Sequence, residues 1–171
     1  MQYFVTGATG FIGKRLVKKL LERKGSVVHF LLRKESAGKV AELRSYWGVS
    51  AARAVPVFGD LTSRKLGVSA EDVKKLKGQI DHFHHLAAVY DLSADAESQA
   101  AVNIEGTRNT VEFAKAIDAG HFHHVSSIAA AGGRLDLTEG EIANIVNGWN
   151  SITVGAQGGN GGMDISEVTV F

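Results

Sequence analysis

The chain has 171 residues, 44% hydrophobic and 22% charged, with a formal net charge of +1 and no cysteine. That balance describes one ordinary globular chain able to bury a core. It excludes a disulfide framework or thiolate zinc site and gives no basic footprint for nucleic acid or an anionic membrane. No run of about 18 apolar residues offers a transmembrane helix. The N-terminus enters a strand with no leader pattern, so a cytoplasmic protein is expected.

In chain order, QYFVT is a short apolar strand. GFIGKRLVKKLLERKG is a helix, with Ile12, Leu16, Leu20 and Phe11, Val17, Leu21 as its apolar stripe and Gly25 at its close. VVHFLL is β-branched and nearly continuous, the pattern of a strand covered on both faces. GKVAELRSYWG is a short helix and ARAVPVF a strand; SAEDVKKLKG is a helix capped by Ser69, with Glu71 and Asp72 in its positive first turn. IDHFHHLAAV is the fourth strand. A long helix from about Asp95 to Ala119 turns Ala100, Ile104, Thr107, Val111 and Ala114 inward, and HFHHVSSIA is the fifth strand. Strand and helix alternating without hairpin signals predict an α/β fold with a doubly wound parallel sheet of strand order 3-2-1-4-5.

The composition breaks near residue 132. Beyond residue 131 the only basic residue is Arg134, against Asp136, Glu139, Glu141, Asp164 and Glu167, which leaves −4 there and +5 before it. Nine of the 20 glycines also lie there. Residues 1–132 are read as one domain, and 133–171 as a divergent glycine-rich tail, packed on the sheet edge or of separate origin. Thr138 and Glu141 form a capping box for a short helix, and SITVGA and MDISEVTVF form a β-hairpin across QGGNGG.

TGATGFIG, Thr6 to Gly13, lies between the first strand and first helix, the context a dinucleotide fingerprint requires. Gly7 permits the tight turn, Gly10 the approach of backbone to a pyrophosphate, and Gly13 close helix–strand packing. Thr6, Thr9, Phe11 and Ile12 complete the cofactor turn. An NAD site needs an acid at the end of the second strand. This chain has Arg33 and Lys34 there, which suit the 2′-phosphate of NADP(H); the alternative is a solvated charge pair. In GDLT, Asp60 can accept from an adenine amino group, with Leu61 beside it. Ala87 and Ala88 are small enough for the cofactor to lie flat at the fourth strand's carboxyl end.

Taken together, TGATGFIG, GDLT, HLAAVYD, VNIEGTRN and VSSIAAAG resemble the extended short-chain dehydrogenase/reductase family, in its bacterial fatty acyl-CoA reductase branch, over residues 1 to about 132. The resemblance implies a Rossmann-like fold and hydride transfer from NADPH to the carbonyl of a fatty acyl-CoA or fatty aldehyde. It carries the carbonyl-binding serine to Ser127, with Ser126 beside it, and the helix asparagine to Asn103. The family's tyrosine and its lysine four residues later carry over to nothing. The tyrosines are Tyr3, Tyr46 and Tyr90 and the last lysine is Lys115, all before the serine. The resemblance thus implies the cofactor-binding half of a reductase, truncated or chimeric, that binds NADP(H) and is inactive as given. The competing readings are a reductase whose missing pair comes from another chain, and an interaction protein that associates through its tail and binds no cofactor. An uncovered sheet edge would favour a homo-oligomer.

HFHH occurs twice, at residues 82–85 and 121–124. If the strands are neighbours, His82, His84, His121 and His123 could suit zinc, nickel or copper; the plainer reading is imidazoles packed at strand entrances, and no metal is assigned. Sensitivity to pH near neutrality is expected from them.

Overall fold

The computed structural model describes residues 1–88, 96–125, 151–152 and 168–169. Met1–Phe122 form one compact unit and His123–Phe171 a second. The sheet is built from β1 (Gln2–Thr6), β2 (Val27–Leu32), β3 (Ala54–Phe58), β4 (His82–His85) and β5 (His121–His124), ordered β3-β2-β1-β4-β5 as expected. β1 is central and runs parallel to both neighbours, with Tyr3 opposite Val28 and Phe4 opposite Phe83. In the second unit, Ser151–Ile152 (β6) pairs antiparallel with Val168–Thr169 (β7). The proposed short helix of the tail lies outside the described residues.

Alternation of side chains along each strand builds two cores. One face presents Tyr3, Val5, Val28, Phe30 and Leu32 to α1 (Phe11–Glu22) and α2 (Val40–Trp47). Trp47 meets Phe30 edge-on at 5.2 Å, and its indole N–H donates to the Lys14 carbonyl at 3.0 Å, tying α2 to α1. The other face presents Phe4, Leu31, Val57 and Phe83 to Leu76 of α3 (Ala70–Leu76) and to Phe113 and Ala114 of α4 (Ala96–Ala116). Phe113 packs on Phe4 at 5.2 Å and Phe83 at 6.1 Å. Ser69 caps α3 as expected, its hydroxyl accepting from the Asp72 N–H at 3.1 Å.

Two expected helix stripes need correction. Phe11 and Ile12 are 75% and 57% exposed, whereas Val17, Leu20 and Leu21 are buried. Gly13 is the first α1 residue to be buried, because that is where the helix meets Gly7 and Ala8; the turn before it overhangs. In α4, Ile104 is 57% exposed while Asn109, Thr110, Phe113 and Ala114 are buried. The inward stripe is rotated because Asn109 donates to the Leu61 carbonyl, with Gly106 beside Leu61 on the same face. Thr107 and Val111 are half-buried at its border.

After β3 the chain makes an unusual turn. Lys65, Leu66 and Gly67 are all left-handed, at φ 50°, 59° and 58°. That region costs roughly 1–2 kcal/mol per residue bearing a side chain. Leu66 is nonetheless fully buried in the second core.

Acid should weaken the fold through its histidines. Burial lowers the pKa of His29 below its ordinary 6.5. His82 is lowered by burial first, then by the charge of His121, with Asp81 opposing and Arg23 adding. A lowered folded-state pKa means that the unfolded chain binds more protons, so this stability is complete above about pH 6.5 and falls as pH drops below it. The expected result is a lower urea midpoint at pH 5.5 than at pH 7.5; an equal or higher midpoint would contradict it.

Candidate functional site

The turn between β1 and α1 is held by backbone contact. Gly7 is left-handed at φ +76°, and a Cβ on it would lie 2.8 Å from the Ala87 nitrogen. The Gly10 N–H donates to the Gly7 carbonyl at 3.0 Å, and the Lys14 N–H to the Gly10 carbonyl at 2.9 Å. A Cβ on Gly13 would lie 2.0 Å from the Gly7 oxygen. The helix therefore starts with its axis against the loop. No side chain caps α1 and no acid occupies its first turn, so its own residues leave its N–H groups and positive potential available. Phosphate groups suit such a cradle.

Thr9 turns toward α2. With Lys14, Lys39, Glu42 and Leu43 it lines an open cavity of about 240 Å³. Lys14 stands 3.9 Å from Glu42 and 4.7 Å from the centre of the Tyr46 ring, which hold it to one wall. Lys39 ends a short 3₁₀ turn, Lys34–Lys39, that follows β2 and begins after Arg33. Arg33 and Lys34 are exposed. Sequence reading omits Lys39, which stands clear of the strand end and becomes visible only when the turn folds back over Thr9.

Asp60 follows β3. Its carboxylate accepts from the Thr62 hydroxyl at 2.6 Å and the Thr62 N–H at 2.8 Å. Those two bonds, the hydroxyl first, hold its pKa below the ordinary 3.8; partial burial opposes them, and Arg33 adds to the lowering. Leu61 packs at the edge of the second core, and its carbonyl accepts from Asn109 Nδ2 at 2.9 Å.

At the end of β4 a hydrogen-bonded chain crosses three elements. Thr6 Oγ1 and His85 Nδ1 are 2.7 Å apart, and His85 Nε2 is 3.2 Å from Thr107 Oγ1. The Ala87 N–H donates to Thr6 Oγ1 at 3.3 Å. This chain pins Ala87 against Gly7, while Ala88 is exposed and Asn103 half-buried in α4. The fold thus brings Thr6, Gly7, Gly10, Gly13 and Ala87 into one contiguous cradle, with Phe11 and Ile12 exposed at its rim. Arg33 and Asp60 are close enough for their charges to interact. Ser126 and Ser127 lie outside the described residues.

The repeated histidines do not form a cage among the described residues, where no group of three or more His, Cys, Asp or Glu side chains could hold a metal ion. His82 and His121 do meet, but as stacked rings 4.9 Å apart at 21°, with faces rather than lone pairs opposed. No helix among the described residues is long and apolar enough to cross a membrane.

Comparison with known proteins agrees with this geometry. The chain matches the NAD-binding family described as Male sterility protein over residues 5–154, a span that runs past residue 132 into the glycine-rich segment. It is 31% identical to a linear gramicidin synthase of Brevibacillus parabrevis over 72% of the chain and 3% of that protein. It is 29% identical to a Drosophila melanogaster protein that carries the name of a fatty acyl-CoA reductase, over 67% of the chain and 25% of that protein. The chain therefore spans a quarter or less of the length of these two relatives. Among solved structures, the terminal R domain from the myxalamid PKS-NRPS pathway superposes with a TM-score of 0.62 at 28% identity, over 75% of this chain and 35% of that one. The chain belongs to the Male sterility protein family, as an NAD(P)-binding, reductase-like domain related to fatty acyl-CoA reductases and peptide-synthetase R domains.

Proposed function

We propose that residues 1–132 bind NADP(H) in preference to NAD(H), as the cofactor half of a reductase acting on a fatty acyl-CoA or fatty aldehyde carbonyl. The observation that carries this reading is the cationic end of β2: Arg33 and Lys34 are exposed there ahead of the single acid Glu35, and Lys39 shares a cavity with Glu42 and with Thr9 of the glycine loop. A 2′-phosphate would be favoured by these charges, since neither Arg33 nor Lys34 offers the carboxylate that a ribose 2′-hydroxyl would donate to.

Bound, the nicotinamide supplies hydride to a carbonyl. The protein's part is to hold it. The uncapped first turn of α1 takes the pyrophosphate, Arg33 and Lys39 the 2′-phosphate, and the ionised Asp60 an adenine amino group. Ala87 and Ala88 leave room over β4, and Asn103 and Ser126 are proposed as further cofactor contacts. Ser127 is the residue proposed to donate to the substrate carbonyl. With no Tyr-x-x-x-Lys pair in the 171 residues to deliver and tune the proton, this chain alone is expected to bind without reducing.

Titration with NADPH and NADH, followed by tryptophan fluorescence and thermal shift, tests the reading. NADPH should bind at least tenfold more tightly. Arg33→Ala should weaken NADPH by roughly 10- to 100-fold, the loss of one or two charge-assisted hydrogen bonds, and leave NADH nearly unchanged. Equal affinity for the two cofactors would reject the NADP preference. Oxidation of NADPH by this chain with a fatty acyl-CoA would reject its inactivity.

A further inference from the structure

The loop that carries Asp60 does not hold its shape by local preference. Two of its residues that are not glycine, Lys65 and Leu66, sit in the left-handed region. Such a conformation persists only when the surroundings impose it. Two anchors do so here. The first is Leu66, whose side chain is fully buried and whose carbonyl accepts from the Asp60 N–H at 2.8 Å. Gly59 makes room for it, since a Cβ there would fall 2.3 Å from the Leu66 oxygen.

The second anchor comes from α4. Asn109 is 4% exposed on the helix face that also buries Thr110, Phe113 and Ala114, where an amide is costly unless bonded. Its Nδ2 donates at 2.9 Å to the carbonyl of Leu61, the residue next to Asp60. One helical turn earlier, Gly106 lies beside Leu61, with room for ordinary contact. Between these anchors the Asp60 carboxylate takes its two bonds from Thr62.

We propose that Asn109 is a positioning residue for the dinucleotide: acting through the Leu61 carbonyl, it fixes the strained Asp60–Gly67 loop and so sets the Asp60 carboxylate at the adenine end of the site. This rests on the reading above that Asp60 faces the adenine. Asn109 itself touches no part of the cofactor. Its effect belongs to the adenosine half of the ligand and to Asp60, whatever it adds to general stability.

The test replaces Asn109 by leucine, similar in size but without a donor, and compares it with Val28→Ala, a core change in β2 on the opposite face. Affinities are measured for NADPH and for adenosine 2′,5′-bisphosphate, and the Asp60 carboxyl is titrated by NMR. Asn109→Leu should weaken both ligands about tenfold, the loss of one hydrogen bond's worth of positioning, and raise the Asp60 titration midpoint as the Thr62 bonds loosen. Val28→Ala should lower the melting temperature and leave ligand affinities and midpoint at wild-type values. If Asn109→Leu weakens NADPH but not the bisphosphate, or leaves the midpoint unchanged, the proposal is overturned. Should wild-type protein bind neither ligand, the cofactor reading fails, and the Asp60 midpoint alone decides whether Asn109 positions the loop. Asn109→Ala repeats the comparison if the leucine variant does not fold.

Discussion

Gly13→Ala should abolish dinucleotide binding and lower the melting temperature by about 10 °C. The added methyl would lie 2.0 Å from the Gly7 oxygen, 2.7 Å from its carbonyl carbon and 2.9 Å from the Ala8 Cα. These are backbone atoms, with no flexible side chain to move aside. To make room, α1 must back away from the loop, which lifts Val17, Leu20 and Leu21 from the first core and separates the first-turn N–H groups from the phosphates. Overpacking of this kind costs about 3 kcal/mol, which in a chain of this size corresponds to the stated shift. Gly38→Ala is the matched control, since nothing lies within 4 Å of a Cβ there. Thermal unfolding with an NADPH titration reads both variants. A Gly13→Ala protein that bound NADPH normally would show that the cradle does not depend on close contact between helix and loop.

Phe113→Ala should cost about 4 kcal/mol, measured by urea unfolding. Its ring is fully buried between Phe4 and Phe83 and fixes α4 to the second face of the sheet. The site should suffer as well, because α4 also carries Asn109 and Thr107, which hold the Leu61 carbonyl and His85. A loss below 1 kcal/mol would mean that α4 is held chiefly by other contacts.

Much of the first unit is legible in the amino-acid sequence. The five parallel strands, their order, the glycine turn and the Ser69 cap all follow from local patterns: apolar runs, a fingerprint in its strand–helix setting, and a serine three residues before an acid. The errors share one physical cause. Apolar periodicity ranks Ile104 above Asn109 as an inward residue, yet the Leu61 carbonyl favours the amide that can donate to it. Phe11 and Ile12 fit the α1 stripe but precede the point at which the helix reaches covered sheet. The bond between Thr6 and His85 joins residues 79 apart, a distance no window along the chain spans. Lys39 and Arg33 likewise come to the same end of the site through a turn that the charge pattern alone does not indicate.

The two strands with the sequence HFHH have a consequence for how the molecule finds its structure. β4 and β5 are identical along their length, so no side chain within either decides which one lies beside β1. The decision passes to the residues that flank them, and those just before them contribute in two ways. Asp81 reaches back to the Gln2 N–H at 2.6 Å, which Gly120 in the same place could not do. Gly120 in turn passes so close to Asp81 that a Cβ on it would lie 2.8 Å from the Asp81 oxygen, closing that berth to an aspartate. A repeated word within one sheet invites the chain to exchange one strand for the other during collapse. Here one carboxylate and one missing methyl help keep the two copies in their own lanes.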